Sequence, residues 1–521
     1  MKHAGLIAVA LMLALATPTR AQRSLDDAFR TFWRAADSGQ AAAAAESIVA
    51  LTPAFDDAFQ RLRQGRPYLP DVPKGVVRGS HDMAGRTFAY SLDVPPTYDP
   101  KVRYQVRFQL HGGIGRPEQE LRGSGSIGAL AGGEQIYVLP ASWAEARWWG
   151  GAQVESLRII LDRVKRAYNV DENRVVVSGV SDGGTGAYYI AMRDTTPYAS
   201  FLPLIGHILI LANPSIGIRE QLFPNNLRNK PLFVVNGGRD QLYPTSMVDP
   251  SIRHLQGGGV ALTYLPQPEA QHNTAWWPEV QEPFERFVRD HPREPYPAVL
   301  TWEAEPAGGA LVRAEPRAHW LRIDRFRARG AEEPLPDLNE VAGRTSANFG
   351  VRATGMRINV VTKGSNADAL GLLPGDLVES VNGRVIPDGV PLVDLLETID
   401  SGTRITLKVR RDASALELAG TFEPKSVVST MSMFPRMRSS GRVDLVRDGN
   451  TVRATTRGVA AFTLLLSPDV FDFTKPITVV VDGRTAFEGS VRKDVATLMR
   501  WAARDNDRTM LFGAELPISV P

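Results

Sequence analysis

Three regimes of hydrophobic patterning divide the chain. Between residues 24 and 65, apolar positions recur at three- and four-residue spacing. Leu25, Phe29, Phe32 and Trp33 come first; Ile48, Leu51, Phe55, Phe59 and Leu62 follow, beyond the alanine run Ala41 to Ala45. That spacing lays one apolar stripe on a helix, and Pro53 interrupts it, so the pattern predicts a small helical hairpin. It serves either as a structural appendage or as a cap on the domain that follows.

The second regime begins after a Pro/Gly-rich linker, Pro67 to Gly79. Thr87 to Val94 alternates and stops at Pro95-Pro96, and Val102 to Leu110 alternates again. Ile136 to Leu139, Val175 to Val177, Ile208 to Leu211, Leu232 to Val235 and Ala261 to Leu265 are short apolar runs. Their length and β-branched content predict buried strands. Between them, Gln153 to Tyr168 carries Val154, Leu157, Ile160, Leu161 and Val164 on one helical face. Strands alternating with helices predict a mostly parallel sheet with helices on both faces.

Near Asp290-His291-Pro292 the pattern changes to short β runs, among them Val299 to Trp302 and Ala318 to Asp324. Phe349 to about Phe422 forms a distinct unit. Beyond it, Arg442 to Val446 and Thr451 to Thr455 flank Asp448-Gly449 and read as a hairpin. Phe462 to Leu466, Ile477 to Val481 and Thr485 to Val491 continue the β pattern, and Val495 to Ala503 closes it with a helix. The organisation expected is a helical segment at 22–66, an α/β domain at 80–292, a β segment at 298–344, the distinct unit at 345–423 and a β-rich, sandwich-like region at 424–521. The β runs on the two sides of the distinct unit are expected to complete one sandwich, which makes that unit an insertion.

A length of 521 residues calls for more than one domain, and 43% apolar with 22% charged residues belongs to folded protein. A net charge of +3, with no basic cluster interleaved with aromatics, gives no reason to expect nucleic acid. Lys2 and His3 precede an uncharged apolar stretch, Leu6 to Ala16, too short to span a bilayer. With Ala14-Leu15-Ala16 or Thr19-Arg20-Ala21 as cleavage site, residues 1–21 read as a secretory signal. The expected location is therefore secreted or periplasmic, with no membrane span once the signal is removed. Cysteine is absent, which removes disulfides, thiol catalysis and thiolate metal sites. No metal or cofactor is expected, since no metal-ligand spacing or dinucleotide fingerprint occurs.

The candidate chemistry sits at Val175 to Ala187. A valine strand runs into Gly179-Val180-Ser181-Asp182-Gly183, and a helical segment follows. The glycines around Ser181 permit a strained turn that lifts the hydroxyl above the sheet as a nucleophile. Such a serine needs a base and an orienting acid from later strand ends. Leu232 to Val235 ends in Asn236-Gly237-Gly238-Arg239-Asp240, which offers Asp240 as the acid, with Asp249 the less suitable alternative. Ala261 to Leu265 leads to His272, the predicted base. His111-Gly112-Gly113 closes the strand Val102–Leu110, so backbone N–H groups around Gly113 and Ile114, with that of Asp182, are predicted to form the oxyanion hole. In this reading the Asp182 side chain points away. Trp148, Trp149 and Trp276 follow strand ends where substrate loops belong. They suit either an aromatic substrate wall or plain loop packing.

On His111-Gly112-Gly113, Gly179-Val180-Ser181-Asp182-Gly183, Asp240 and His272, residues 80–290 resemble the secreted esterase branch of α/β-hydrolases, such as feruloyl esterases and polyhydroxybutyrate-depolymerase-like proteins. The resemblance implies a serine hydrolase cleaving a small-molecule or polymer-linked carboxylic ester through an acyl-enzyme. Prolyl-oligopeptidase-type peptidases share the elbow, so a serine peptidase acting on short peptides is the alternative; a non-catalytic binding scaffold is another. Asn348-Phe349-Gly350-Val351, Asp368 to Val378 and Val381-Asn382-Gly383 resemble bacterial PDZ domains. That likeness implies capture of a peptide C-terminus at Phe349, Gly350 and Val351. The fold class expected is thus an α/β-hydrolase with a PDZ domain and a C-terminal β-sandwich-like region.

Overall fold

Leu25, Phe29 and Phe32 share one face of α1 (Arg20–Arg34), and that face is buried against α2 (Ser38–Ala50) and α3 (Phe55–Gln64). The same cluster takes in Leu498, Met499 and Ala502 from the helix Val495–Asp505. The N-terminal helices therefore pack on the far end of the chain. In this computed structural model the described residues are 20–115, 125–218, 220–306, 316–327, 337–342, 349–386, 392–396, 399, 402–423, 430–436 and 438–520. Residues 1–19 of the predicted signal, and Asn348 of the predicted PDZ loop, lie outside them. Among the described residues no helix is long and apolar enough to cross a membrane.

The chain forms two units: Met1–Asn339 with Phe434–Pro521, and Glu340–Met433. In the first, an eight-stranded sheet holds β1 (Gly75–Met83), β2 (Arg86–Val94), β3 (Tyr104–Leu110), β4 (Ile136–Pro140), β5 (Val170–Val180), β6 (Ser200–Leu204), β7 (Leu232–Val234) and β8 (Leu262–Tyr264). Its order is β1-β2-β4-β3-β5-β6-β7-β8, antiparallel from β1 to β4 and parallel from there on. Parallel neighbours need long crossovers. These contain α4 (Gly151–Ala167), α5 (Asp182–Arg193) and α6 (Thr245–Gly257), and α7 (Trp277–Asp290) follows β8.

Burial accounts for the valine run in β5. Val176 faces a cluster with Val280 and Phe284 of α7, while Val175 and Val177 point the other way and are equally inaccessible. A strand covered on both faces has no polar side to show. One departure from the expected elements stands out. Ile208–Ala212 is a 3₁₀ turn, and the strand at that place is Ser200–Leu204. Pro203 disguises it, because proline gives up a ladder donor; the Pro203 carbonyl nevertheless accepts the Val235 N–H at 3.2 Å.

Downstream, Val299–Ala304 pairs antiparallel with Gly441–Asp448, and Leu321–Phe326 pairs antiparallel with Val459–Leu466. They belong to a five-stranded and a four-stranded sheet that share one core, with Trp302, Leu321, Val443, Phe462 and Leu464 inside it. Asp448-Gly449 turns Gly441–Asp448 into Thr451–Arg457, and Asp482-Gly483 turns Ile477–Val481 into Arg484–Gly489. Buried ions tie this region to the α/β sheet: Arg508 binds the Glu172 carboxylate on β5, and Arg293 binds Asp507 at 2.8 Å. Asn339 and Phe434, the last residue before the second unit and the first after it, exchange two hydrogen bonds of 2.9 Å.

The second unit is built on a six-stranded sheet, five of whose strands run in the order 351–354, 357–361, 377–381, 404–411, 414–421, while 384–385 pairs with 377–381. Phe349 is buried and stacks on Phe422, with ring centroids 5.8 Å apart. Gly350 adopts φ +84°, and a Cβ there would overlap the Ser365 side chain. Val351 opens the edge strand of the sheet. Asp376, its carboxylate 1% exposed, is clasped by Arg411 through Nε and Nη2 at 2.8 and 2.9 Å.

Candidate active site

Ser181 stands between β5 and α5 with φ +56° and ψ −117°, a conformation that side chains rarely adopt. Close packing of backbone on backbone holds it there. A Cβ at Gly179 would overlap the Gly183 carbonyl, and a Cβ at Gly183 would overlap the Leu110 carbonyl. The Ser181 N–H donates to the Leu204 carbonyl at 2.9 Å, and its own carbonyl accepts the Thr185 N–H at 3.0 Å. Strain is tolerated because the β3 and β6 ends and the α5 start leave the turn no other path.

The hydroxyl meets a base. Ser181 Oγ lies 2.9 Å from His272 Nε2, and His272 Nδ1 lies 2.7 Å from Asp240 Oδ2. The Asp240 carboxylate is fully buried, and its Oδ1 accepts the Leu242 and Tyr243 N–H groups at 2.7 and 2.9 Å. Two fixed donors hold that carboxylate in one rotamer with Oδ2 facing the ring, so Nδ1 carries the imidazole proton and donates to it, and Nε2 is left to accept from the serine. Asp249 belongs to α6 and accepts the Tyr264 hydroxyl at 3.0 Å. The structure thus brings Ser181, His272 and Asp240 together and leaves Asp249 out.

The oxyanion loop departs from expectation. The Ile114 N–H donates to Asp182 Oδ2 at 3.0 Å. An amide has one proton, so Ile114 is committed elsewhere and is removed from the predicted donor set. The Asp182 side chain does not point away; it reaches back across the elbow to this amide. The rest of the loop is held as tightly. The Trp148 indole N–H donates to the His111 carbonyl at 2.8 Å, the Ser142 N–H donates to His111 Nε2 at 3.1 Å, and His111 Nδ1 lies 2.9 Å from the Gly112 carbonyl. Because Nε2 accepts, Nδ1 is the protonated nitrogen and donates to Gly112. Fixing that carbonyl turns the Gly113 N–H, at the other end of the same trans peptide, in the opposite direction. The Asp182 N–H is one of the first-turn amides of α5, which have no acceptor within the helix.

The tryptophans are packing residues. Trp148 is fully buried beneath the His111 loop, and Trp149 and Trp276 are 7% and 6% exposed. Trp276 belongs to the core cluster with Val176 and Phe284. Burying such large rings stabilises the loops more than exposing them does. Beside the oxyanion loop a cavity of about 670 Å³ is bounded by His111, Gly112, Val180, Thr274 and the β1–β2 surface, and none of the three tryptophans lines it.

Three contributors escaped the sequence. Tyr243 packs edge-on to His272 at 5.7 Å, and burial, with Asp182 and Asp240 nearby, pushes its hydroxyl up. The His207 ring lies 6.1 Å from that of Tyr243, and burial pushes its imidazole down to about 4. The ring contacts join Tyr243 to His272 across 29 positions and His207 to Tyr243 across 36, so no local pattern pairs them; the sequence places His207 only as a core or strand-edge residue beside an apolar run. The third is the Asp182 carboxylate, whose partner lies 68 positions away.

The sheet order, the elbow and the Ser–Asp–His order define an α/β-hydrolase fold. A PDZ domain family profile matches residues 357–411. No curated protein sequence matches this chain. Among solved structures, a thermostable esterase is 19% identical over 42% of this chain and 63% of its own, with a TM-score of 0.34. A ferulic acid esterase is 16% identical over 42% of this chain and 99% of its own, at 0.33. Est1E from Butyrivibrio proteoclasticus is 15% identical over 42% of this chain and 98% of its own, at 0.31. The chain spans under two thirds of the thermostable esterase's length.

Proposed function

We propose that this protein is an exported serine hydrolase that cleaves carboxylic esters through an acyl-enzyme on Ser181. The observation that carries the reading is the continuous chain from Ser181 Oγ through His272 to the buried Asp240, with links of 2.9 and 2.7 Å. Ser181 Oγ attacks the ester carbonyl as His272 Nε2 takes its proton. The tetrahedral oxyanion is received by the N–H groups of Gly113 and Asp182, each such donor contributing about 3 kcal/mol of transition-state stabilisation. His272 returns the proton to the departing alkoxide, which leaves as the alcohol. Water, activated by the same imidazole, then releases the acid and restores the serine.

The PDZ domain is assigned the capture of a peptide C-terminus at the loop of Phe349, Gly350 and Val351, with the peptide adding a strand beside 351–354. Export rests on residues 1–21 acting as a signal. The reading is tested by labelling with a fluorophosphonate and mapping the adduct, and by offering aryl acetate, feruloyl ester and peptide amide to wild type and Ser181→Ala. An adduct on Ser181 with serine-dependent ester turnover is expected. Amide turnover alone would assign the peptidase chemistry instead; no turnover and no adduct would leave a binding scaffold.

A further inference from the structure

Among the described residues that line the cavity beside the His111–Gly112 loop, Arg78 alone carries a formal charge. We infer that Arg78 is a specificity residue that seats a carboxylate at the distal end of the ester substrate. The inference rests on the proposed ester hydrolysis and deepens it by naming the class of substrate.

The register places Arg78 with respect to the chemistry. Arg78 on β1 pairs with Ser91 on β2, and Ser91 pairs with Leu139 on β4. Val138 pairs with Phe108 on β3, and Gln109 pairs with Ser178 on β5. Four strand spacings separate Arg78 from β5, or about 19 Å. One cavity covers this distance, bounded by Gly112 and Val180 at one end and Arg78 at the other.

The electrostatics select a sign. No acidic residue lines the cavity among the described residues, and Arg78 has no ion-pair partner among them. The Asp93 carboxylate, two positions along the β1–β2 ladder, is occupied by the Ser126 hydroxyl and the Ile127 N–H at 3.0 and 3.2 Å. Ser80 and Ser91, on the same face of the β1–β2 ladder as Arg78, add hydroxyls to this wall of the cavity. A planar guanidinium with its donors unclaimed takes a carboxylate in a forked pair, and the hydroxyls suit an oxygen-bearing chain on the way. With the other described lining residues neutral, Arg78 decides which end of a long ester binds there.

The test uses the full-length protein and 4-nitrophenyl monoesters of succinate, adipate, suberate and sebacate, each beside its methyl-capped neutral partner. For wild type, kcat/KM on the longer acids is expected to exceed that on the capped partners by about tenfold, with little preference at succinate. Arg78→Ala is expected to abolish the preference and leave the capped esters unchanged, and Arg78→Lys to restore part of it. Equal rates on acids and capped esters in wild type, a preference that ignores chain length, or an equal loss on both in Arg78→Ala would each overturn the assignment. The capped esters keep the two readings apart: their hydrolysis without an acid preference removes only the role of Arg78. Turnover of no ester by wild type removes both.

Discussion

The carboxylate of Asp182 and the backbone N–H of Ile114 meet at 3.0 Å, joining the residue after the nucleophile to the loop that follows β3. Both proposed oxyanion donors, Gly113 and Asp182, sit beside this link. Removing its acceptor frees Ile114 and loosens the loop. Asp182→Ala is expected to lower kcat by about 10- to 100-fold with KM little changed, the loss of one charge-assisted hydrogen bond being worth about 1.5–3 kcal/mol. Asp182→Asn keeps an acceptor and is expected to lose less. Steady-state rates on an aryl acetate decide the matter, and equal rates for Asp182→Ala and wild type would refute it.

Asp240 orients His272 and is itself held by two amides. Asp240→Asn preserves the shape but presents an amide N–H where the imidazole needs an acceptor. It is expected to cut kcat by on the order of 10⁴, through the wrong tautomer. The rate of fluorophosphonate labelling gives the same readout without a substrate.

The elbow depends on backbone contacts that no side chain can relieve. Gly183→Ala puts a methyl group on the Leu110 carbonyl. A destabilisation of about 3 kcal/mol or more is expected, seen as a lowered denaturation midpoint or as failure to accumulate soluble protein. A variant as stable as wild type would show that β3 and α5 can separate here.

His207 links acid pH to stability. Burial lowers its folded value to about 4 from an ordinary 6.5. Below about pH 6.5 the unfolded chain binds a proton that the folded one refuses, so stability falls as pH drops toward 4. Between pH 7 and pH 5 the loss from this residue is about 2 kcal/mol. Denaturant titrations at the two pH values are expected to show a smaller drop for His207→Gln than for wild type.

The reciprocal pair of Asn339 and Phe434 closes the first unit where the second leaves it. Excising residues 340–433 and joining the ends is expected to leave a folded protein that still labels at Ser181. Residues 434–521 alone are expected not to fold, because Gly441–Asp448 and Val459–Leu466 lose their partners at 299–304 and 321–326. Circular dichroism and thermal melts of the two truncated chains test both statements.

Local chemistry determined much of this protein from sequence alone. The valine run, the glycines around Ser181, the Asp-Gly turns and the order of serine, acid and base each act over a few residues, where steric and burial rules apply directly. Tertiary structure decided the rest, because those choices depend on which distant groups meet. It assigned the Ile114 amide to Asp182 instead of the oxyanion and turned Trp148, Trp149 and Trp276 inward as packing. It also moved a strand to the proline-bearing segment Ser200–Leu204, and packed Tyr243 on His272 and His207 on Tyr243. A hydrogen-bond donor can serve one acceptor, and only the folded chain shows which acceptor reaches it first.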